Sequence, residues 1–86
     1  MAGERILVVE DDLHFGTQIT DLFTFLGFEP TLVGNGREAV ERFREGEYDF
    51  ILSDLMLPEL NGVDVVKGIR QLPGGSEVPV LMMSAV

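Results

Sequence analysis

Apolar and polar positions fall in blocks along this chain, and the period of the pattern changes from block to block. Ile6–Val9 is a continuous apolar run, β-branched at both ends, which reads as a strand buried on both faces. Phe15, Ile19, Leu22, Phe23 and Leu26 then recur at i, i+4, i+7, i+8 and i+11, one face of a helix and candidate core. Asp12 is placed to cap its start and Gly27 to end it. Phe28–Val33 is a shorter strand, and Pro30, which donates nothing to a ladder, puts it at a sheet edge. In GNGREAVERFREGE, Asn35 with Glu38 three residues on resembles a capping box, Ala39, Val40 and Phe43 make the apolar face, and Gly46 stops the helix. YDFILSD is a second buried strand ending on Asp54, and LMLPELNG is a loop with Pro58 and Asn61-Gly62 as turn residues. Val63, Val66 and Ile69 recur at helical spacing with Val65 alongside, Pro73-Gly74-Gly75 ends that helix, and VPVLMMSAV is a last apolar strand.

The order β-α-β-α-β-α-β predicts an α/β fold, a parallel sheet with helices over both faces. At 86 residues the chain suits one small domain, and its 45% hydrophobic content with mean hydropathy +0.22 is that of a globular chain. Its apolar runs are all far shorter than the ~18 residues of a membrane span, and MAGERILVVEDD does not resemble a secretory signal. The expectation is therefore a cytoplasmic protein with no membrane partner.

Charge narrows the function classes. Six basic and 15 acidic residues give a net charge of −9, which argues against direct nucleic-acid binding and suits a divalent cation or a basic partner surface. With no cysteine, disulfides, thiolate nucleophiles and thiolate metal sites are excluded.

The stretch ILVVEDD runs four apolar residues into Glu10, Asp11 and Asp12. Such a cluster is either a solvated strand end or a site for something positive, because crowded carboxylates repel one another. In open parallel sheets, sites form beyond the carboxyl ends of the strands. Three strands here finish in polar groups at that edge: Glu10, Asp11 and Asp12, then Asp54, then Ser84. Asp11 and Asp54 would converge on one hard cation, and oxygen ligands without His or Cys favour Mg²⁺ or Mn²⁺ over zinc. A strand-end Asp beside such a metal suggests phosphoryl chemistry through an aspartyl-phosphate, with the Ser84 hydroxyl placed to hydrogen-bond the attached group.

Three pieces carry a family resemblance: ILVVEDD, DFILSDLMLPELNG and VPVLMMSA, in order, with 43 residues from Asp11 to Asp54 and 30 from Asp54 to Ser84. The chain resembles the receiver domain of bacterial two-component response regulators, over residues 1–86 as one domain. The resemblance implies a doubly wound, flavodoxin-like sheet of strand order 2-1-3-4-5. It implies Asp54 as phosphoacceptor, and Mg²⁺ held by Asp11, Asp54, the Met56 backbone carbonyl and, through water, Glu10, with Asp12 a third acid of the pocket. It implies Ser84 and the small Ala85 as switch residues, and Pro58 and Gly62 as residues of the loop after the acceptor. The donor would be a sensor histidine kinase or a phosphotransfer protein, and the domain would switch a partner surface and not act as an enzyme on other substrates. The family pattern continues with a helix, a strand ending in Lys, and a helix. This chain has no counterpart of them after Val86, so the expectation is a C-terminally truncated receiver that labels weakly and self-associates through its last strand.

Two other functions fit parts of the pattern. One is a binding module of the same fold that works without phosphorylation. The other is a Mg²⁺-dependent phosphatase, which would want a general acid two residues after the nucleophile, where Met56 stands. His14 reads as a surface residue at a helix start, and Met82 and Met83 as strand filler.

Overall fold

The computed structural model describes residues 3–57 and 60–83; Pro58, Ser84 and Ala85 lie outside the described residues. Four strands, β1 (Arg5–Val9), β2 (Glu29–Val33), β3 (Phe50–Asp54) and β4 (Val80–Met83), alternate with three helices, α1 (Leu13–Phe25), α2 (Gly36–Glu45) and α3 (Gly62–Arg70). All strand pairs are parallel and the spatial order is β2-β1-β3-β4, the order the resemblance implies for these four. Pro30 lies in β2 at an edge, as its missing N–H requires.

Alternation along the strands gives each face its own residues. Leu7, Val9 and Ile51 share one face and cluster with Ala39 and Phe43 of α2, Val65 and Ile69 of α3, and Val33 and Val78, all buried. Ile6, Val8 and Leu52 alternate onto the opposite face and are buried as well. The α1 helix covers that face: a methyl at Gly16 would lie 2.8 Å from Leu32 Cδ1 and 3.5 Å from Glu10 Cβ, so the missing side chain lets the helix settle onto the sheet beside Glu10.

Local chemistry sets the helix ends. The side chains of Asp12, Asn35 and Asn61 accept the backbone N–H groups of Phe15, Glu38 and Asp64, an N-cap on each helix worth about 1 kcal/mol apiece. At the end of α1, Gly27 has φ +96°, its N–H donates to Thr24 O, and the Phe28 N–H reaches back to Phe23 O at 2.9 Å. This is a Schellman stop, and its usual apolar contact is present as the edge-to-face pair Phe23–Phe28, 5.8 Å between centroids.

Two predicted faces are corrected. The α1 stripe is not core along its length: Phe15, Leu22 and Leu26 are exposed, and the residue of α1 that is buried is Gly16. In α3 the buried positions are Val65 and Ile69, with Val63 exposed, because the helix begins at Gly62 and presents its i, i+3, i+7 stripe (Gly62, Val65, Ile69) to the core. Asn61-Gly62 is thus a helix start and not a turn. The helix ends at Arg70, before Pro73, and Arg70 Nη1 donates to Gly75 O and Val78 O, tying down the connection to β4.

Candidate functional site

The site follows from strand register. Val9 pairs with Ser53 across β1 and β3, so the next residues, Glu10 and Asp54, emerge side by side at the carboxyl edge. One carboxylate oxygen from each of Glu10, Asp11 and Asp54 lies within 4.8 Å of the other two. Asp12 turns away to cap α1, with its Oδ1 accepting the Phe15 N–H at 3.1 Å, so it belongs to the acidic pocket but not to the triad.

Burial divides the triad. Glu10 is 3% exposed and Asp54 8%, whereas Asp11 is exposed. Three like charges this close are costly, and desolvation by burial pushes the Glu10 carboxyl above its usual range. The nearby Asp54 and Asp11 push in the same direction, and the Asp12 N–H, donating to Glu10 Oε2 at 3.0 Å, opposes them. Asp54 is held by its own loop: the Met56 N–H donates to Oδ1 at 3.0 Å, Leu55 N–H to Met83 O at 2.8 Å, and Gly62 N–H to Leu55 O at 3.0 Å. Gly62 packs directly against Asp54, since a Cβ there would sit 2.7 Å from Asp54 O and 2.5 Å from Met82 Cε. This gives the predicted loop residue a physical role.

A cavity of about 510 Å³ opens over these acids. Glu10, Asp11, Asp12 and Asp54 line it together with His14, Phe15 and Gln18 of α1, and Met83, the register partner of Asp54, lines it from β4. Gln18 was not foreseen from the sequence; His14, expected as a surface residue at a helix start, is exposed there and lines this cavity as well. The signal was the helix phase: with Asp12 as cap, the first turns of α1 stand over the carboxyl edge, and residues 14 and 18 fall on one stripe. Pro58, Ser84 and Ala85 lie outside the described residues, and Ser84 follows Met83 by one position.

The donor set fits a hard divalent cation: carboxylates converge, the lining includes neither Lys nor Arg among the described residues, and mutual repulsion of the acids favours a cation between them. No helix among the described residues is long and apolar enough to cross a membrane.

Comparison with known proteins identifies the family. The family model of the response regulator receiver domain matches residues 6–86. The DNA-binding response regulator MtrA of Mycobacterium tuberculosis is 39% identical over 82 residues, covering 95% of this chain and 35% of that protein. Among solved structures, the receiver domain of the sensor histidine kinase PA1611 from Pseudomonas aeruginosa, which has a magnesium ion coordinated in its active site cleft, superposes with a TM-score of 0.89 at 38% identity, over 94% of this chain and 66% of that one. The chemotaxis response regulator CheY4 of Vibrio cholerae gives 0.90 at 26% identity, over 94% and 68%. The chain spans about a third of the length of the curated relatives it matches.

Proposed function

This chain belongs to the response regulator receiver family, and from that premise we propose that it accepts a phosphoryl group on Asp54 from the phosphohistidine of a sensor kinase or phosphotransfer protein. The observation that supports this reading best is the convergence of Glu10, Asp11 and Asp54 at one strand edge, under a cavity large enough for a donor group.

Asp54 is the nucleophile. One of its oxygens forms the new bond to phosphorus while the bond from phosphorus to the donor nitrogen breaks, and the electron pair leaves with the imidazole. The Met56 N–H holds Oδ1 and so sets the rotation of the carboxylate before the donor arrives. Mg²⁺, with Mn²⁺ as an alternative, would be held by Asp11, Asp54, the Met56 backbone carbonyl and, through water, Glu10, and when bound it supplies charge neutralisation between the acids and the phosphoryl oxygens. Asp12 caps α1 and keeps the pocket acidic. From the family resemblance, Ser84 and Ala85 complete the switch beside the phosphoryl group, and Pro58 shapes the loop after Asp54.

The output is a changed partner surface, not turnover of a second substrate: Met56, two residues after Asp54, offers no general acid. The chain works in the cytoplasm, contacts neither membrane nor nucleic acid directly, and taken alone self-associates. The deciding experiment is phosphoryl transfer from a phosphorylated kinase with acid-stable and acid-labile adducts separated. An acid-labile, hydroxylamine-sensitive label lost in Asp54→Asn supports the reading, and a label that survives that substitution defeats it.

A further inference from the structure

Among the described residues that line the cavity over Asp54, His14 and Gln18 carry the only nitrogen-bearing side chains; the other described lining groups are four carboxylates, the Phe15 ring and Met83. They stand one helical turn apart on α1, on one stripe, and both are exposed, so packing does not account for either. An imidazole presents an N–H in either protonation state, and a primary amide presents two.

This wall matters for what leaves the site. A small acyl phosphate can transfer its phosphoryl group to Asp54. The Asp54 oxygen–phosphorus bond forms, the bond between phosphorus and the acyl oxygen breaks, and the electron pair departs on a carboxylate that needs no proton. That product is one more anion in a space already bounded by Glu10, Asp11, Asp12 and Asp54. Phosphoramidate differs: its nitrogen carries its protons beforehand and departs as neutral ammonia. Only the first leaving group calls for hydrogen-bond donors.

We propose that the His14–Gln18 stripe binds the departing carboxylate of acyl phosphate donors and so determines which small phosphodonors the site accepts. The inference rests on Asp54 being the phosphoacceptor, and it assigns these two residues a role in donor choice beyond that reading.

The test compares labelling of the 86-residue chain by acetyl phosphate and by phosphoramidate, in Mg²⁺, for the parent sequence, His14→Ala, Gln18→Ala, His14→Gln and Asp54→Asn. A hydrogen bond to a charged leaving group in a wet site corresponds to roughly a tenfold rate effect. The expected result is a fall of about that size in the acetyl phosphate to phosphoramidate ratio for each alanine variant, with most of the ratio retained in His14→Gln. A second readout needs no transfer: acetonylphosphonate, a methylene analogue of acetyl phosphate, should shift the His14 ring and Gln18 amide NMR signals and bind more tightly than methylphosphonate, and the double alanine variant should erase that difference. An unchanged rate ratio, or equal binding of the two phosphonates by the parent sequence, overturns the proposal. Labelling that persists in Asp54→Asn overturns the phosphoacceptor reading instead, so the two failures are distinguishable.

Discussion

Asp54 Oδ1 accepts the backbone N–H of Met56, two residues further along its own loop, at 3.0 Å. The bond fixes the rotation of a carboxylate that is nearly buried, and it leaves Oδ2 without a hydrogen-bond partner among the described residues. In the proposed role of nucleophile, a carboxylate held this way loses little further freedom when the donor docks. Asp54→Asn keeps the shape but replaces the carboxylate proposed as nucleophile by an amide. Labelling by phosphoramidate should disappear, with the fold intact by circular dichroism.

Metal binding should depend on the exposed member of the triad. Asp11 is exposed, and Glu10 beside it is buried and raised in pKa. A Mg²⁺ titration followed by NMR should move amides near residues 10–12 and 54–56, and Asp11→Asn should weaken the titration by at least about tenfold. Without metal the same substitution removes repulsion only, so thermal stability should rise or stay level. In saturating Mg²⁺ it should fall below the parent, because the linkage stabilisation from the bound ion is lost.

Glu10 predicts a pH dependence. Burial, with Asp54 and Asp11 adding to it, raises its folded pKa above the ordinary value of 4.5. The folded state therefore holds this proton where the unfolded chain has released it, and stability falls as pH rises from the unfolded pKa through the folded one. In metal-free protein, denaturant midpoints should be higher near pH 4.5 than near pH 7 as far as this group is concerned, and Glu10→Gln should flatten that part of the profile. Mg²⁺ should flatten it too. A profile unchanged by Glu10→Gln would place the slope on other groups.

Gly62 packs tightly against the end of β3 at Asp54. Alanine at a helix position is favoured over glycine by up to about 1 kcal/mol. Here the new methyl would meet Met82 Cε, which can move, and the Asp54 carbonyl at 2.7 Å, which is backbone and cannot. Overpacking against backbone costs about 1–3 kcal/mol, so the clash should win. Gly62→Ala should lower stability by about 1–2 kcal/mol in urea melts and shift the amide signals of Leu55 and Met56.

Most of this arrangement was legible in the chain itself, for reasons visible residue by residue. Short apolar runs each ending on a polar residue located β1, β3 and their shared edge, and in a parallel sheet that alone brings Glu10 near Asp54. Asp12 and Asn35 announced their caps because cap chemistry is local. The helix faces were harder. Val63, Val65, Val66 and Ile69 permit two phases, and the choice of Val65 with Ile69 depends on Gly62 reaching the end of β3, a contact between distant segments. The stripe of Phe15, Leu22 and Leu26 reads as core by period, but period reports that a face is apolar, not what lies over it. Gln18 was missed because an amide has no hydropathy signature of its own, and only its place one turn after His14 on α1 marks it.

That exposed apolar surface leads to the final prediction. The β4 strand, Val80–Met83, forms one edge of the described sheet, carries no charge, and has Leu81 56% exposed. On α1, Leu13, Leu22 and Phe25 are exposed as well, and so is Leu26 at its C-cap. Uncharged strand edges pair with other chains unless something blocks them, and among the described residues Pro79, just before the strand, is a local guard. Opposing association is the net charge of −9, which a second copy doubles. Salt should decide between these effects: screening shortens the reach of that repulsion from about 30 Å at 0.01 M to about 10 Å at 0.1 M, while apolar contact is not weakened. The isolated chain should therefore sediment closer to a monomer at low ionic strength and as a dimer or larger species as salt and concentration rise. Edge pairing of β4, or exchange of elements between two copies, would put Val80, Leu81 and Met82 in the contact. Leu81→Lys should shift the equilibrium back towards monomer by adding charge to the edge. A monomer that persists at high protein concentration and high salt, with a cooperative unfolding transition, would show that four strands and three helices are self-sufficient and that this edge is guarded in another way.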